Sequence, residues 1–370
     1  MIERFIPTAG GVEQFAWNVA HELLRQGEQV TVVARASDPS SEVAVEPLRV
    51  PTAWQPARVL SFTSGAARRV RSRPFDVVHS FARTHYQDLY RAGGGSHHDY
   101  LRRNHLGMGL ALRRFSPRHR VLLAVEQRVF QDPKQRIQCA SRLVADALQR
   151  DHGVDPSRIL LLPNAVHAGD FSNPRAREDG LRLRTRLDAR AERIWLLAGS
   201  GWRRKGLETA FEALAHNGDP GARLWIAGRD DPSPWQRKAS VLGIADHVRF
   251  LGPRSDMPAV YAAADAAILP TRYDPFANAT LEAAAAGLAV VTTAADGASE
   301  WLASDAFVIE EPSDGQAFAS ALRALSDVDS RRARGERLAR RARELDFTSH
   351  VRALRAEYGA IVDRRRRVIG

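Results

Sequence analysis

Two carboxylates eight residues apart, Asp274 and Glu282, carry the clearest chemical meaning in this chain. The apolar run 266–269 predicts a buried strand, and a helix is expected to begin near Asn278 and to stop at Gly287. Open α/β sheets bind ligands at the carboxyl ends of their strands, where carboxylates accept hydrogen bonds from the vicinal hydroxyls of a sugar or a ribose. The plain alternative is a helix N-cap followed by a solvated glutamate.

A second chemically suggestive segment, residues 199–206, is rich in glycine and in cations and runs from a predicted strand into a helix starting at Leu207. Glycine permits close approach of the backbone, and cations at a helix start oppose the helix dipole unless an anion lies between them. The segment therefore predicts a diphosphate site. Its candidate residues are Gly201, Arg203, Arg204 and Lys205. A solvated basic loop is the alternative.

A third segment, residues 91–100, places three glycines before His97, His98 and Asp99. Neighbouring histidines point in different directions on most backbones, so a metal site without a third ligand is not expected. The pattern favours a substrate loop in which an imidazole binds a sugar hydroxyl or a phosphate. A flexible loop with exposed histidines is the alternative.

The segment His97–Arg142 is basic and amphipathic, which is typical of a helix that lies on acidic lipid or binds a polyanionic substrate. A solvated helix face is an equal alternative. Nucleic acid is not expected, because aromatic residues are sparse and no recognised binding motif is present. The interleaved residues are Arg102, Arg103, Leu106, Met108, Leu110, Leu112, Arg113, Arg114 and Phe115.

Near the N-terminus, Gly10 and Gly11 directly precede a predicted helix and resemble the glycine turns that bind anions. In a doubly wound domain this turn should follow the first strand, yet only two apolar residues precede Glu3. Either the first strand is very short or the natural chain starts upstream of Met1. The alternative is an ordinary loop.

Composition limits the class of protein. With 370 residues, two domains are expected. The 54 Lys and Arg against 43 Asp and Glu give a net charge of +11, which favours anionic partners such as nucleotides or acidic membranes. A single cysteine, Cys139, excludes an internal disulfide and fits a reducing compartment. Because no apolar run reaches the roughly 18 residues of a membrane span, we expect a cytoplasmic protein, with peripheral attachment to the inner face of the plasma membrane left open.

Alternating strand and helix patterns predict βαβ units and parallel sheets, hence an α/β fold of two doubly wound domains. The expected N-terminal domain is 1–165, with a C-terminal helix at 348–370 packing back on it, and the second domain is 166–347. The polar stretch Asn164–Asp188 is expected to connect them. The predicted strands are 30–34, 74–79, 159–162, 194–198, 223–227, 247–251, 266–269 and 289–293.

These motifs together resemble the retaining glycosyltransferases of family 4, which have two Rossmann-like domains facing each other across a cleft (the GT-B architecture). Within that family the chain is similar to lipopolysaccharide core glucosyltransferase I and its relatives. The resemblance covers essentially the whole chain, and the segment with Asp274 and Glu282 is its most specific part; relatives usually carry Glu at the first position. The other matching segments are 10–11, 162–166, 199–206, 227–229 and 248–252.

The resemblance implies residue roles. Asp274 and the backbone after it would contact the donor sugar, Glu282 would hold the ribose, and Lys205 with Arg203 or Arg204 would neutralise the diphosphate. His97, with His98 next in line, would be the histidine of the N-terminal domain, so that His97, Lys205 and Asp274 are the catalytic candidates. The remaining donor-side candidates are Gly10, Gly11, Gly201, Arg229, Leu251, Phe276, Ala277 and Asn278; the acceptor-side candidates are His98, Asp99, Arg102 and Arg103.

The expected activity is transfer of a hexose, most simply glucose, from a nucleoside-diphosphate sugar such as UDP-glucose to a glycan or lipid-linked acceptor such as lipopolysaccharide core. The resemblance implies no metal and no further cofactor. The alternatives are a family 4 transferase with a soluble small-molecule acceptor and a catalytically idle sugar-binding or membrane-binding module.

Overall fold

The computed structural model describes residues 1–51, 53–104, 116–189 and 192–369. They divide into two units, unit 1 (Met1–Ala165 with Phe347–Gly370) and unit 2 (Val166–Asp346). Each unit contains parallel β-sheet accompanied by helices, which confirms the predicted α/β class. In the described part of the chain, no helix is both long and apolar enough to span a membrane.

Unit 1 is built on short parallel strands. A four-stranded sheet has the order β5-β6-β7-β8, while β1 pairs with β3 and β2 pairs with β4. Its strands are β1 (Arg4–Phe5), β2 (Thr31–Ala34), β3 (Ala36–Ser37), β4 (Ala44–Pro47), β5 (His79–Ser80), β6 (Leu89–Arg91), β7 (Arg136–Cys139) and β8 (Ile159–Leu161). Its helices are α1 (Gly11–Arg25), α2 (Gln55–Arg71), α3 (His97–Asn104), α4 (Pro117–Gln131), α5 (Arg142–His152) and the C-terminal α15 (Phe347–Ile369).

The C-terminal helix α15 belongs to the core of unit 1. Its apolar residues Phe347, Val351 and Leu354 pack with Phe15 and Val19 of α1. These side chains recur every three or four residues on both helices, so each presents one apolar stripe. Burial of both stripes fastens the end of the chain to unit 1.

Unit 2 contains one six-stranded parallel sheet with the order β11-β10-β9-β12-β13-β14. This order reverses direction between β9 and β12, which is the switch point where doubly wound sheets bind ligands. Its strands are β9 (Arg193–Ala198), β10 (Ala222–Ala227), β11 (Val248–Gly252), β12 (Ala266–Ile268), β13 (Ala289–Thr293) and β14 (Phe307–Ile309). Its helices are α6 (Ala168–Ser172), α7 (Pro174–Arg186), α8 (Leu207–Asn217), α9 (Ser233–Val241), α10 (Met257–Ala263), α11 (Asn278–Ala285), α12 (Ser299–Leu302), α13 (Gly315–Ala324) and α14 (Val328–Glu344).

Three local predictions need correction. The chain passes from unit 1 to unit 2 at Ala165–Val166, within the stretch Asn164–Asp188 expected to connect them, but most of that stretch forms helices α6 and α7 of unit 2. Leu183 and its helical neighbours bury one face of α7 despite the polar sequence. The strand expected at 74–79 is reduced to β5 (His79–Ser80). The histidine loop is a helix from His97 onward, and the basic segment is divided between α3, α4 and β7. Its residues 105–115 lie outside the described part of the chain.

Candidate functional site

The loop after β9 and the loop after β12 lie against each other at the switch point of unit 2. Gly206 has a φ of +75°, and a Cβ on it would lie 1.9 Å from the carbonyl oxygen of Pro270. The Arg272 N–H donates to the Arg204 carbonyl over 2.9 Å. Only glycine combines this backbone conformation with so close an approach, so a glycine at position 206 allows the two predicted site loops to pack against each other.

An ion-pair cluster joins these loops. The carboxylate of Asp274 accepts a hydrogen bond from Arg204 Nη1 at 2.8 Å and one from Lys205 Nζ at 3.5 Å. Burial opposes ionisation of this carboxyl, but the charges of Lys205 and Arg204 outweigh it and lower the pKa of Asp274. The residues predicted to bind a diphosphate and a sugar are therefore brought together, with Asp274 occupied by the two cations.

Lys205 is held in place by the glycine turn before it. The residue is only 6% exposed. A Cβ on Gly199, whose φ is +103°, would lie 2.7 Å from Lys205 Cε. Glycine at position 199 thus makes room for the lysine stem, whose ammonium group reaches Asp274. No side chain caps the start of α8, which begins two residues later, and the N-terminus of a helix favours negative charge.

Glu282 lies on α11, and Tyr261 of α10 donates a hydrogen bond from its hydroxyl to Glu282 Oε2 over 2.9 Å. Burial raises the pKa of Glu282 to about 7, against the opposing effects of the Tyr261 hydrogen bond and the Lys205 charge. A desolvated carboxylate of this kind gains from hydrogen-bond donors such as ribose hydroxyls. Sequence reasoning missed Tyr261, since nothing in its own helix marks it as a partner of Glu282.

A buried carboxylate that the sequence reasoning missed, Asp296, forms hydrogen bonds with the loop that follows Asp274 and with the start of α11. Its Oδ1 accepts the N–H groups of Ala277 and Ala298, both at 3.0 Å, and its Oδ2 accepts the hydroxyl of Thr280 at 2.6 Å. Burial and the nearby charge of Asp274 raise the pKa of Asp296. The Ala277 N–H, expected to face the donor sugar, is used by Asp296. The signal was present: Asp296 follows strand β13 and precedes a glycine, as an Asp at the carboxyl end of a parallel strand.

The remaining donor-side candidates differ in burial and in position along the chain. Arg203 is exposed, Phe276 is buried, and Asn278 is the first residue of α11. The backbone N–H of Arg229 donates to Ser200 Oγ at 3.0 Å, which places the turn after β10 against the glycine loop. Leu251 lies on the neighbouring strand β11.

A second acid that escaped prediction, Asp230, shapes the glycine loop. Its carboxylate accepts the N–H groups of Gly201 at 2.8 Å and of Trp202 at 3.2 Å. These contacts leave the Gly201 N–H directed at Asp230 in this structure. Gly201 therefore has a structural partner where a direct phosphate contact was expected.

In unit 1, His97 is part of a buried network. Its backbone N–H donates to both oxygens of Glu126, at 2.9 and 2.7 Å, and its Nε2 lies 2.9 Å from Nδ1 of His119. Burial, reinforced by the charge of Arg83, lowers the pKa of His97 to about 4. Glu126 is completely buried and also forms an ion pair with Arg83 at 2.9 Å. The predicted substrate loop is thus a helix start whose N–H groups are satisfied by the protein's own carboxylate.

The acceptor-side candidates beside His97 also form ion pairs. Asp99 is buried and contacts Arg102, Arg103 and Arg150. His98 lies 3.4 Å from the carboxylate of Asp151. Three guanidinium groups surround the Asp99 carboxylate, and its expected contact with a substrate stays a prediction.

Gly10 and Gly11 stand where the sequence predicted, at the start of α1. A Cβ on Gly10 would lie 2.7 Å from a carboxylate oxygen of Glu13, and Glu13 in turn forms an ion pair with Arg4. The space beside this glycine turn is therefore filled by a carboxylate of the same helix. Neither unit contains, among its described residues, a group of three or more His, Cys, Asp or Glu placed to hold a metal ion.

Two family models match this chain. Glycosyltransferase Family 4 matches residues 9–169, and Glycosyl transferases group 1 matches residues 192–327. A probable transglycosylase of Burkholderia thailandensis is 30% identical over 88% of this chain and 84% of its own length. Lipopolysaccharide glucosyltransferase WaaG of Escherichia coli K12 is 26% identical over 80% of this chain and 79% of its own. D-inositol 3-phosphate glycosyltransferase of Mycobacteroides abscessus is 28% identical, covering 78% and 70%.

Solved structures give the same fold. WaaG, described as a glycosyltransferase involved in lipopolysaccharide biosynthesis, superposes with a TM-score of 0.82 at 23% identity over 95% of this chain and 98% of its own. HepE of Anabaena in complex with UDP and glucose has a TM-score of 0.72 at 17% identity, covering 97% and 100%. The fold is GT-B, as predicted. The chain therefore belongs to glycosyltransferase family 4 and is a glycosyltransferase that uses nucleotide sugars.

Proposed function

We propose that this protein transfers a hexose, glucose in the first instance, from UDP-glucose to a glycan or glycolipid acceptor such as lipopolysaccharide core, with retention at the anomeric carbon. In this proposal unit 2 binds the donor and unit 1 binds the acceptor. The observation that carries it is the convergence of Arg204 and Lys205 on Asp274 at the carboxyl ends of β9 and β12, with Glu282 on α11, the helix that follows the Asp274 loop. This arrangement offers cations for a diphosphate and a carboxylate for a ribose.

The donor's diphosphate would lie at the start of α8, where the helix dipole and the Lys205 ammonium both favour negative charge. Arg204 and Lys205 already converge on one carboxylate oxygen of Asp274. A phosphate oxygen bound there would form ion pairs with the same two cations. They would stabilise the charge that develops as the diphosphate leaves, a role that needs no metal ion in this proposal.

In the proposed step, the bond between the sugar's anomeric carbon and the phosphate oxygen breaks, and its electron pair stays on UDP. The acceptor hydroxyl forms the new bond on the same face and gives its proton to the departing phosphate. The products are the glycoside and UDP, so atoms and charges balance. The protein contributes position and charge stabilisation, with no covalent intermediate.

Glucose and UDP are favoured as the sugar and the nucleotide of the donor because they occur in the names of similar proteins. WaaG is named a lipopolysaccharide glucosyltransferase, and the Anabaena protein was crystallised with UDP and glucose. A second candidate, transfer to a soluble small acceptor, is favoured by the relative named D-inositol 3-phosphate glycosyltransferase. Attachment to an acidic membrane remains a prediction from the +11 charge, tested by flotation with anionic vesicles at low and high salt.

The direct test is to incubate the purified protein with UDP-glucose, UDP-galactose, ADP-glucose and GDP-mannose and to follow nucleotide release. Lipopolysaccharide truncated to the inner core and inositol phosphate serve as acceptors in separate arms. We expect release to be fastest with UDP-glucose, and nuclear magnetic resonance of the product to show an α-linkage. Failure of every donor to bind or to hydrolyse would refute the proposal, and a β-linked product would refute retention.

A further inference from the structure

A cavity of about 390 Å³ in unit 1 shares Arg83 with the histidine network and was not singled out by the sequence. Its lining includes Arg35, directly after β2, and Phe81 and Ala82, directly after β5, so it lies at the carboxyl ends of these strands, where sheets of this kind bind ligands. Its volume falls within the range of roughly 300–1,000 Å³ that is usual for small-molecule sites. Its charged lining residues are Glu3, Arg4, Glu13, Arg35, Arg58 and Arg83.

Most of these charges are paired. Arg4 forms an ion pair with Glu13, and Arg58 lies 3.4 Å from a carboxylate oxygen of Glu3. Arg83 is paired with the buried Glu126, which does not line the cavity. With Arg83 neutralised by Glu126, three guanidinium groups of the lining face two carboxylates, which leaves one positive charge, that of Arg35.

Arg35, directly after β2, differs from the other lining arginines. Among the residues that the structure describes it forms no ion pair, and its buried Nε has no hydrogen-bond partner. A buried donor without a partner costs free energy, which a bound acceptor group would recover. Because guanidinium groups bind oxyanions in a bidentate manner, Arg35 is suited to an anionic group of a ligand.

We propose that this cavity binds a phosphorylated saccharide, with Arg35 and Arg58 contacting the phosphate and Glu3 or Glu13 accepting hydroxyl groups of the sugar. A phosphate is favoured over a carboxylate because it carries more charge and three terminal oxygens, which separated arginines can share. That the saccharide is the acceptor rests on the function proposed above. Binding of a phosphorylated saccharide to the cavity does not depend on that function.

The test titrates the full-length protein with glucose 6-phosphate, glucose, glucuronate and glycerol 3-phosphate, followed by calorimetry. UDP is present at saturation, so that phosphate cannot enter the donor site, and the series is repeated without UDP. We expect glucose 6-phosphate to bind at least tenfold more tightly than glucose or glucuronate. Binding of glycerol 3-phosphate with equal affinity would show a site for any phosphomonoester, such as a lipid headgroup, and would overturn the saccharide assignment.

The matched variants are Arg35→Gln and Arg68→Gln. Arg68 is an exposed arginine on α2, the helix that carries Arg58, so both changes remove one positive charge from unit 1. Arg35→Gln should weaken glucose 6-phosphate binding about tenfold or more, Arg35→Lys should weaken it less, and Arg68→Gln should leave it within twofold. Thermal melts confirm that each variant is folded.

Unchanged binding in Arg35→Gln, or no binding of glucose 6-phosphate to the wild-type protein, would overturn the proposal. UDP-glucose hydrolysis is measured on the same samples. Hydrolysis that persists while glucose 6-phosphate fails to bind refutes only the cavity proposal. Absence of donor hydrolysis with intact, Arg35-dependent sugar phosphate binding refutes only the donor chemistry.

Discussion

The glycine turn before α8 in unit 2 and the glycine turn before α3 in unit 1 look alike in sequence but place their carboxylates differently. Before α8, Asp230 accepts the N–H groups of Gly201 and Trp202 and Asp274 pairs with Lys205, while the helix start itself has no side-chain cap. The start of α3 is satisfied by the buried Glu126, which accepts the His97 N–H with both oxygens. At α3 a carboxylate of the protein therefore occupies the helix start, whereas at α8 the carboxylates bind the loop and the cations before the helix.

The largest expected effect concerns the unit 1 turn. Glu126→Gln would leave Arg83 and the N–H groups of α3 without their carboxylate, so the free energy of unfolding should fall by about 3–5 kcal/mol. Urea denaturation measures the loss. Asp146→Asn, an exposed acid on α5, is the control and should change stability by less than about 0.5 kcal/mol. Equal stability of the two variants would show that Glu126 is not the internal anion inferred above.

The second prediction concerns the unit 2 turn. Lys205→Ala removes the buried ammonium group, and kcat for donor cleavage should fall by about 10²–10³ because a charge stabiliser of the leaving diphosphate is lost. Lys134→Ala, at an exposed position in unit 1, changes the net charge equally and should retain nearly full activity. Equal rates in the two variants would show that the Lys205 ammonium group does not stabilise the leaving diphosphate.

A smaller effect is expected from Asp296, which supports the Asp274 loop. Asp296→Asn keeps one acceptor oxygen but places an amide where the Thr280 and Thr292 hydroxyls donate, so about 1–3 kcal/mol of stability should be lost. Because the Ala277 N–H also binds this carboxylate, the Michaelis constant for the donor should rise. Calorimetric melts and donor titration measure both quantities. A wild-type Michaelis constant in a destabilised variant would assign Asp296 to folding alone.

The smallest effect is a shift of a pH profile. Burial raises the pKa of Glu282 to about 7 in the folded protein, above its value of roughly 4.3 when unfolded. The folded state therefore retains a proton between these values, so the Glu282 contribution to stability falls as pH rises through this window. Donor affinity should instead rise as pH passes 7, because the carboxylate is the better acceptor for ribose hydroxyls.

Tyr261→Phe sharpens this test. The Tyr261 hydroxyl stabilises the Glu282 carboxylate, so its loss should raise the pKa of Glu282 further and move the midpoint of donor affinity to higher pH. The measurement is the dissociation constant of UDP from pH 5.5 to 9 for both proteins. Coincident profiles would show that Glu282 does not titrate in the donor site.

Much of unit 2 was accessible to sequence reasoning. Short apolar runs such as 266–269 and 289–293 are bounded by turn residues, and they predict buried parallel strands from local pattern alone. The position of Lys205 at a helix start follows from Gly206 next to it. These inferences needed only neighbours in the chain, so they required no knowledge of distant contacts.

Other residues could not be assigned in this way. The carboxylate that holds His97 comes from Glu126, on α4, and the predicted substrate loop is a buried helix start. Asp296 and Tyr261 act on α11 and its preceding loop from other elements of unit 2. Arg35 became a candidate only from the structure, which places it in a cavity with a buried Nε that has no hydrogen-bond partner.

The sequence by itself determined the α/β class, the family and the pairing of a cationic glycine loop with two downstream carboxylates, because these depend on residue types and short spacings. The tertiary structure decided which charges are compensated. Asp99 and Glu126 are surrounded by cations and N–H groups, and Lys205 shares the Asp274 carboxylate with Arg204. Compensation depends on side chains from distant elements meeting within a few ångströms, and that distance is fixed only when the chain has folded.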